Sequence, residues 1–347
     1  MDSPLVTVLT TTYNQSKFIA NCIKSVLAQT YDNWEQVIVD DGSTDGTEEI
    51  VSRFNDERIV YIRQKHVGIH RLSETYNRGL RLAKGKFVAI LEGDDLYPKR
   101  KLELQVNSLA DDAVLSFGKC AVINQDKKYL GTIPPNSEQY MKTTDWLQPL
   151  TVGDYIPSLT VMIKKEALIK IGGFIQPPNT LAVDYSTYLE LALIGKFRFV
   201  NEILGIWVRH GGNYSDAALF NDHNNNVANL YSDVAVKHSI PFCRRHGIPI
   251  DWETLRKQRG SDLCHIARHQ LSNGKRREAL KFFKASFRLS SIFGKFKSLG
   301  GMAVTMLGLN WEKIAEKLGR PTEWAWYGDD AMLLRMDKKR TLSTLTN

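Results

Sequence analysis

Apolar runs and polar clusters alternate along the first hundred residues in a fixed order. Leu5, Val6, Val8 and Leu9 form a short, partly β-branched run that ends in Thr10-Thr11-Thr12-Tyr13-Asn14. Phe18, Ile19, Cys22, Ile23, Val26 and Leu27 then recur at helical spacing, so the opening reads strand, loop, helix. The unit repeats. Gln36 to Val39 reads as a second strand, Asp40-Asp41-Gly42-Ser43 as a turn, and Ser43 or Thr44 as the cap of a helix through Phe54. Ile59 to Ile62 predicts a third strand, Tyr76 to Ala83 a helix, and Phe87 to Leu91 a strand that stops at Glu92-Gly93-Asp94-Asp95. Such alternation predicts an α/β fold: a mostly parallel sheet covered by helices, with ligands bound beyond the carboxyl ends of the strands. All three polar clusters fall at those ends.

From about residue 113 the pattern loosens. Val114 to Val122 and Leu159 to Ile163 read as strands, and Pro134-Pro135 and Pro177-Pro178 mark turn-rich stretches. After Pro241 strand signals vanish. Leu263 to Leu271, Asn273-Gly274 and Glu278 to Leu289 read as a helical hairpin with a glycine stop, the start of an α-helical appendage.

Composition adds limits to this picture. With 43% hydrophobic and 24% charged residues in 347, the chain is neither disordered nor membrane-embedded in character, and its length suits more than one minimal domain. No run of 18 apolar residues and no leader pattern is visible, so a cytoplasmic address is the expectation. Cys22, Cys120, Cys243 and Cys264 stand far apart and read as free thiols. The formal charge of +8 is unevenly spread: residues 1–237 carry 25 basic and 28 acidic side chains, residues 238–347 carry 21 and 10. A positive field confined to one segment points to a local anionic partner, and nothing in the chain indicates nucleic-acid readout.

The chemistry is carried by the strand ends. Asp94 and Asp95 are adjacent carboxylates that repel one another unless a cation or hydrogen-bond donors offset them, and Mg²⁺ or Mn²⁺ with a substrate diphosphate would do so. A parallel sheet gathers Thr11, Tyr13, Asp41, Asp94 and Asp95 at one edge. There Tyr13 can stack on a base, Asp41 can accept from a base N–H, and a carboxylate with metal can hold ribose and diphosphate. Each cluster also has a plain structural use as a turn or cap. Neither a G-x-x-x-x-G-K-[ST] loop nor a G-x-G-x-x-G after the first strand occurs, which disfavours kinase and dehydrogenase readings.

Val6 to Asn14, Ser25 to Tyr31, Val37 to Asp45, Asn77-Arg78-Gly79-Leu80 and Glu92-Gly93-Asp94-Asp95 stand in the order seen in the family 2 nucleotide-sugar glycosyltransferases, which the chain resembles. The likeness continues through Gly172-Gly173-Phe174, Val183-Asp184-Tyr185 and His210-Gly211-Gly212-Asn213-Tyr214-Ser215, over roughly residues 4–216. It implies a GT-A fold and an inverting transfer. By that resemblance Thr11, Tyr13 and Asp41 contact the nucleobase, Asp94 the ribose region, and Asp95 and His210 the Mn²⁺ or Mg²⁺ that bridges the donor diphosphate. Asp184 stands at the position of the general base, although Val183 replaces the usual Glu before it. Tyr76 replaces a common Arg, and Arg71 is either a substitute donor contact or a solvated helix residue. Val208 stands two positions before His210 where Arg is usual, which leaves the role of Arg209 open.

The implied organisation is a catalytic domain over residues 1–238 and a basic helical domain over 239–347, serving membrane contact, acceptor positioning or self-association. Residues 268–297 hold nine Lys or Arg against Glu278 alone. Phe282, Phe283, Phe287, Ile292, Phe293, Phe296, Leu299, Met302 and Met306 follow a helical stripe that either packs as core or docks on anionic lipid at the inner face of a membrane, with Gly294 and Gly300-Gly301 interrupting the helix. Trp311, Trp324 and Trp326 fit core, dimer contact or acceptor platform equally. The expected partners are a nucleotide-sugar donor, with uridine favoured, and a glycan, glycolipid or lipid-linked acceptor. A nucleotidyltransferase or a non-catalytic nucleotide-sugar binder are the competing readings.

Overall fold

The computed structural model describes residues 3–109, 112–133, 141–143, 145–153, 156–210, 212–213 and 231–309. Among the described residues these fall into two compact units, one holding residues 3–150 and 156–213 and the other holding 151–153 and the helices from Tyr231 onward.

The first unit is built on an eight-stranded sheet: β1 (Val6–Thr12), β2 (Trp34–Asp40), β3 (Ile59–Arg63), β4 (Phe87–Glu92), β5 (Ala113–Asn124), β6 (Tyr129–Ile133), β7 (Met162–Lys164) and β8 (Lys196–Arg209). Its order is β3-β2-β1-β4-β7-β5-β6, with β8 pairing β5. Strands β1 to β4 are mutually parallel, and β7 runs antiparallel to β4 and β5. Both β1 and β2 are buried along their whole length, their apolar residues interspersed with buried Thr7, Thr10, Glu35 and Gln36. Side chains alternate faces. Val6 and Val8 pack with Ile19, Cys22, Ile23 and Val26 of helix α1 (Ile19–Leu27), Val51 of α2 (Thr47–Val51) and Leu102 of α4 (Lys101–Ser108). The other face of β1 receives α3 (Leu72–Leu82) so closely that a Cβ on Gly79 would stand 2.0 Å from Leu9 Cδ1. Short helices α5 (Leu147–Val152) and α6 (Lys165–Lys170) precede α7 (Asp184–Ala192).

Local expectations shift in three places. Helix α2 ends at Val51, not Phe54, and Gly46 stands at its N-cap with no side-chain cap. Ser43 serves elsewhere, its hydroxyl accepting from Asn14 N at 2.8 Å. The strand expected over Leu159 to Ile163 opens as a 3₁₀ turn (Ser158–Thr160), and pairing begins at Met162. The stretch at Pro134-Pro135 lies outside the described residues.

The second unit consists of α8 (Tyr231–His246), α9 (Trp252–Ser272), α10 (Arg276–Leu289) and α11 (Ile292–Met306). Pro241 sits inside α8. The hairpin between α9 and α10 turns at Gly274 with φ of 76°, where Lys275 N reaches back to Gln270 O. Contrary to the sequence expectation, α11 runs unbroken through Gly294, Gly300 and Gly301. Packing overrides propensity there: a Cβ on Gly301 would lie 2.2 Å from the buried ring of Phe283, and one on Gly294 would lie 2.6 Å from Ser290 Cβ. Ser286 Oγ donates to Gly260 O at 2.6 Å and meets Ser298 Oγ at 2.8 Å, so the helices touch through glycines and hydroxyls. All four cysteines are buried and free.

Candidate active site

Parallel register sets the position of every group at the carboxyl edge. Thr11 lies opposite Val39 of β2 and Glu92 of β4, and Thr12 opposite Asp40, so the three loops leave the sheet side by side. Strand β1 stands between β2 and β4, the switch point at which α/β sheets open a crevice. Two loops are laced together. Asn14, in the left-handed region at φ 52°, donates its N–H to Ser43 Oγ and accepts from Thr44 N through Oδ1 at 2.8 Å. Ser16 N donates to Asp45 Oδ2 at 2.9 Å. Tyr13, 43% exposed, projects from this fixed corner.

Asp40 and Asp41 divide the work of the second cluster. Asp40 is buried and structural, accepting from Ser43 N at 2.7 Å and Tyr61 OH at 2.6 Å. Asp41 organises the Gln64–Gly68 segment: Oδ1 accepts from Gln64 Nε2 at 2.8 Å and Val67 N at 2.9 Å, while Oδ2 accepts from Gly68 N at 2.9 Å and faces His66 Nδ1 at 2.9 Å. Gly42, at φ +83°, is required because a Cβ there would meet His66 N at 2.9 Å. His66 thereby stacks on Tyr13, with ring centroids 4.1 Å apart and planes inclined by 20°. The sequence reading missed His66 and Gln64; they lie more than twenty positions from Asp41, and no local pattern marks them.

At the third cluster the chain returns from far away. Leu96 and Ile206 exchange backbone hydrogen bonds, which draws the end of β8 over the Asp94-Asp95 loop. His210 Nε2 then stands 3.0 Å from Asp94 Oδ2, with its ring stacked on Phe18 at 4.1 Å. Gly212 N donates to His210 Nδ1 at 3.2 Å, which places the imidazole proton on Nε2, facing Asp94. Asp95 is buried and turns Oδ1 to Val208 N at 3.0 Å, leaving Oδ2 without a hydrogen bond among the described residues. Burial first, then the neighbouring Asp94 and Glu92 charges, hold its carboxyl well above the usual range. His210 therefore meets Asp94 directly, not Asp95.

Glu92 and Tyr76, each noted in the sequence, form a polar group whose pairing the sequence did not reveal. Tyr76 OH and Ser158 Oγ donate to Glu92 Oε1 at 3.0 and 2.9 Å, and Oε2 is buried without a partner among the described residues. Burial pushes the Glu92 carboxyl up to about 7. Asp184 lies near enough for its charge to raise the Tyr76 hydroxyl further. It begins α7, accepts from Tyr185 N at 2.9 Å, and is itself raised by burial. Its placement follows from Asn77, which clasps Phe174 by accepting from its N–H and donating to its carbonyl, both at 2.8 Å. Thr187 Oγ1 in turn accepts from Ile175 N at 3.0 Å. Arg71 stands apart: it is exposed and pairs with Glu74 at 2.6 Å, as a solvated helix residue would. Arg209 lies 5.9 Å from the Trp207 ring centroid. Tyr214 and Ser215 lie outside the described residues.

Hard oxygen donors at Asp94 and the free Oδ2 of Asp95 suit Mg²⁺ or Mn²⁺, which is held by one or two carboxylates when phosphates supply the remaining ligands. His210 would offer Nε2 to such an ion only with that nitrogen deprotonated and the Gly212 N–H turned away from Nδ1. Among the described residues no group of three or more His, Cys, Asp or Glu is already gathered as a metal cage. The carboxylates fit such an ion as a partial shell completed by ligand.

The model of the Glycosyl transferase family 2 matches residues 7–172. TuaG of Bacillus subtilis (strain 168), a glycosyltransferase assigned to teichuronic acid biosynthesis, is 36% identical over 54% of this chain and 72% of its own length. Chondroitin synthase of Escherichia coli is 31% identical over 61% of this chain but 30% of its own. The E. coli UDP-Glc:α-D-GlcNAc-diphosphoundecaprenol β-1,3-glucosyltransferase WfgD is 32% identical over 41% and 56%. The chain thus spans less than two thirds of the latter two relatives. Among solved structures, a Pyrobaculum calidifontis mannosyltransferase in complex with GDP-Man and Mn²⁺ superposes with a TM-score of 0.54 at 17% identity, covering 98% of this chain and 89% of that one. S. aureus TarS 1–349 gives 0.52 at 15% identity, covering 90% and 91%. These likenesses establish a shared fold.

Proposed function

The chain belongs to glycosyl transferase family 2, and we propose that it transfers a sugar, with inversion, from a uridine-diphosphate sugar to a hydroxyl of a glycan or lipid-linked acceptor. The observation that carries this reading is the pairing, at the two sides of β1, of an aromatic stack (Tyr13 with His66) and an acid–imidazole pair (Asp94 with His210). Exposed ring faces at Tyr13 and His66 suit a nucleobase. Thr11 lines the floor between them, nearly buried. Asp41 acts on the base through the loop it organises, since its own oxygens are already engaged by Gln64, His66, Val67 and Gly68.

Asp94, Asp95 and His210 would hold the Mn²⁺ or Mg²⁺, with Asp94 also on the ribose side. Bound there, the ion supplies Lewis-acid stabilisation of the departing diphosphate. Asp184 takes the acceptor hydroxyl's proton as that oxygen attacks the anomeric carbon from the side opposite the leaving group. General-base assistance of this kind contributes about 10²- to 10⁴-fold. The teichuronic acid biosynthesis named for TuaG and the diphosphoundecaprenol substrate named for WfgD support a cell-envelope glycan as the acceptor class. The TarS complex with UDP-GlcNAc supports uridine, while the mannosyltransferase complex keeps guanosine in the test.

A thermal-shift panel of nucleoside diphosphates and nucleotide sugars, each with and without Mn²⁺, tests the proposal. Saturating donor should stabilise by about 2 to 3 kcal/mol, more with Mn²⁺ than without, and uridine nucleotides should exceed guanosine and thymidine ones. Absence of any nucleotide shift, or release of pyrophosphate in place of a nucleoside diphosphate during turnover, would overturn it.

A further inference from the structure

Helix α11 is turned inside out. Its buried positions are Ser298, Gly301 and Thr305, whose hydroxyls are absorbed within the unit: Ser298 Oγ donates to Gly294 O at 2.9 Å and Thr305 Oγ1 to Gly301 O at 2.7 Å. Met302 and Val304 lean on the core around Phe283, but the helix's other large apolar side chains face water. Ile292 is 77% exposed, Phe296 68%, Leu299 47% and Met306 71%, and at 100° per residue these four fall within one outward stripe. Phe293 and Leu307 widen it on one side. Lys295 lies at one flank and Lys297 at the other, with Lys297 Nζ 4.7 Å from the Phe293 ring centroid. On α10, Arg277, Lys281, Lys284 and Arg288 recur at spacings of four, three and four residues and are all exposed, a basic ridge in the same unit.

This arrangement separates two ways of satisfying an apolar stripe. A stripe that builds a core is covered by its own unit; among the described residues Phe283 and Met302 are so covered, whereas Ile292, Phe296, Leu299 and Met306 are not. The helix has fifteen residues, about 22 Å long, and no described helix is long and apolar enough to cross a membrane. It suits an in-plane position. Nine cations against one anion over residues 268–297 select an anionic surface.

We propose that the outward face of α11, flanked by Lys295 and Lys297 and backed by the basic ridge of α10, docks in the plane of an anionic lipid bilayer. The apolar side chains enter the boundary between headgroups and acyl chains while the lysine and arginine heads stay among the phosphates. The occupant is the bilayer surface itself, and the inference stands independently of the reaction catalysed by the first unit.

Flotation of the full chain with vesicles tests it. Vesicles of phosphatidylcholine containing about one third phosphatidylglycerol should bind at least tenfold more tightly than phosphatidylcholine alone, and about 0.5 M salt should abolish the difference. Phe296→Ser combined with Leu299→Ser should weaken binding at least about tenfold. Lys284→Glu and Arg288→Glu should each weaken it by about fivefold or more on anionic vesicles and leave neutral vesicles unaffected. All these positions are exposed, and unchanged Tm and donor-induced thermal shift in each variant show that folding and the catalytic unit are intact. Equal binding to both vesicle types, no binding to either, or a concentration-dependent dimer that Phe296→Ser dissociates without any vesicle binding would overturn the proposal. Loss of donor response in the wild-type chain with vesicle binding retained would overturn the proposed transfer instead.

Discussion

The two units bury polar groups for opposite purposes. In the first, buried strands fill the interior and carboxylates collect at one edge, where Asp41 is held by the loop N–H groups of Val67 and Gly68 and Asp95 by Val208 of β8. In the second, Ser286, Ser298 and Thr305 fill the helix contacts while phenylalanine and isoleucine point outward. A buried polar residue is thus informative through its partners. Hydroxyls that bond their own helix, as Ser298 and Thr305 do, or a glycine carbonyl of the next, as Ser286 does, let backbones approach, whereas a buried carboxylate that draws several donors from a distant loop fixes that loop at the edge.

The most demanding test of that contrast is at Asp184. Asp184→Asn should reduce turnover by about 10²- to 10⁴-fold with donor affinity unchanged, read by nucleoside diphosphate release and calorimetric titration. A similar loss of donor affinity would assign the residue to folding of the edge instead. Next comes Gly301→Val, whose Cβ would meet the Phe283 ring; it should cost about 3 kcal/mol and lower the Tm while the donor-induced shift survives. Asp41→Asn removes the charge from an acceptor serving two backbone N–H groups, so donor affinity should fall by about 2 kcal/mol with a smaller change in Tm.

Opposite in sign between the units is the response to pH. Burial holds Glu92 above its ordinary value, at about 7, so its contribution to stability is whole below about pH 4.5 and is lost as pH rises through about 7. Burial holds His238 down to about 4, so its contribution is whole above pH 6.5 and is lost as pH falls through about 4. Unfolding of the chelator-treated chain should therefore show Glu92→Gln flattening the loss on the alkaline side and His238→Gln flattening the loss on the acid side. Each effect is at most about 3 kcal/mol. Flattening on the same side in both variants would contradict the opposition between the units.

Much of the edge was legible from residues alone because parallel strands announce themselves by apolar runs, and the polar residues after each run land at one end of the sheet. That logic placed Thr11, Tyr13, Asp41, Asp94 and Asp95 together. It did not reveal which of two adjacent carboxylates faces His210, because the answer depends on the Leu96–Ile206 bridge, formed across more than a hundred residues. His66 was illegible for the same reason. Arg71 was legible as a cation but not as a partner of Glu74, about one helical turn further along the chain. In the helical unit, local propensity misread Gly294 and Gly301 as breaks, since a glycine's cost in a helix is visible in sequence and the ring or serine that needs its missing Cβ is not.

Asn77 grips both the N–H and the carbonyl of Phe174, and the helix that carries Asn77 lies against β1 through Gly79. The strand that leads to Tyr13 and the segment that leads to Asp184 therefore share a single clamp, which on the proposed roles would tie donor shelf to proton acceptor. On the proposed roles, the spacing between the base and the nucleotide floor would be set in the scaffold before either substrate arrives, and changes of sugar or acceptor preference would come from the loops around that gauge.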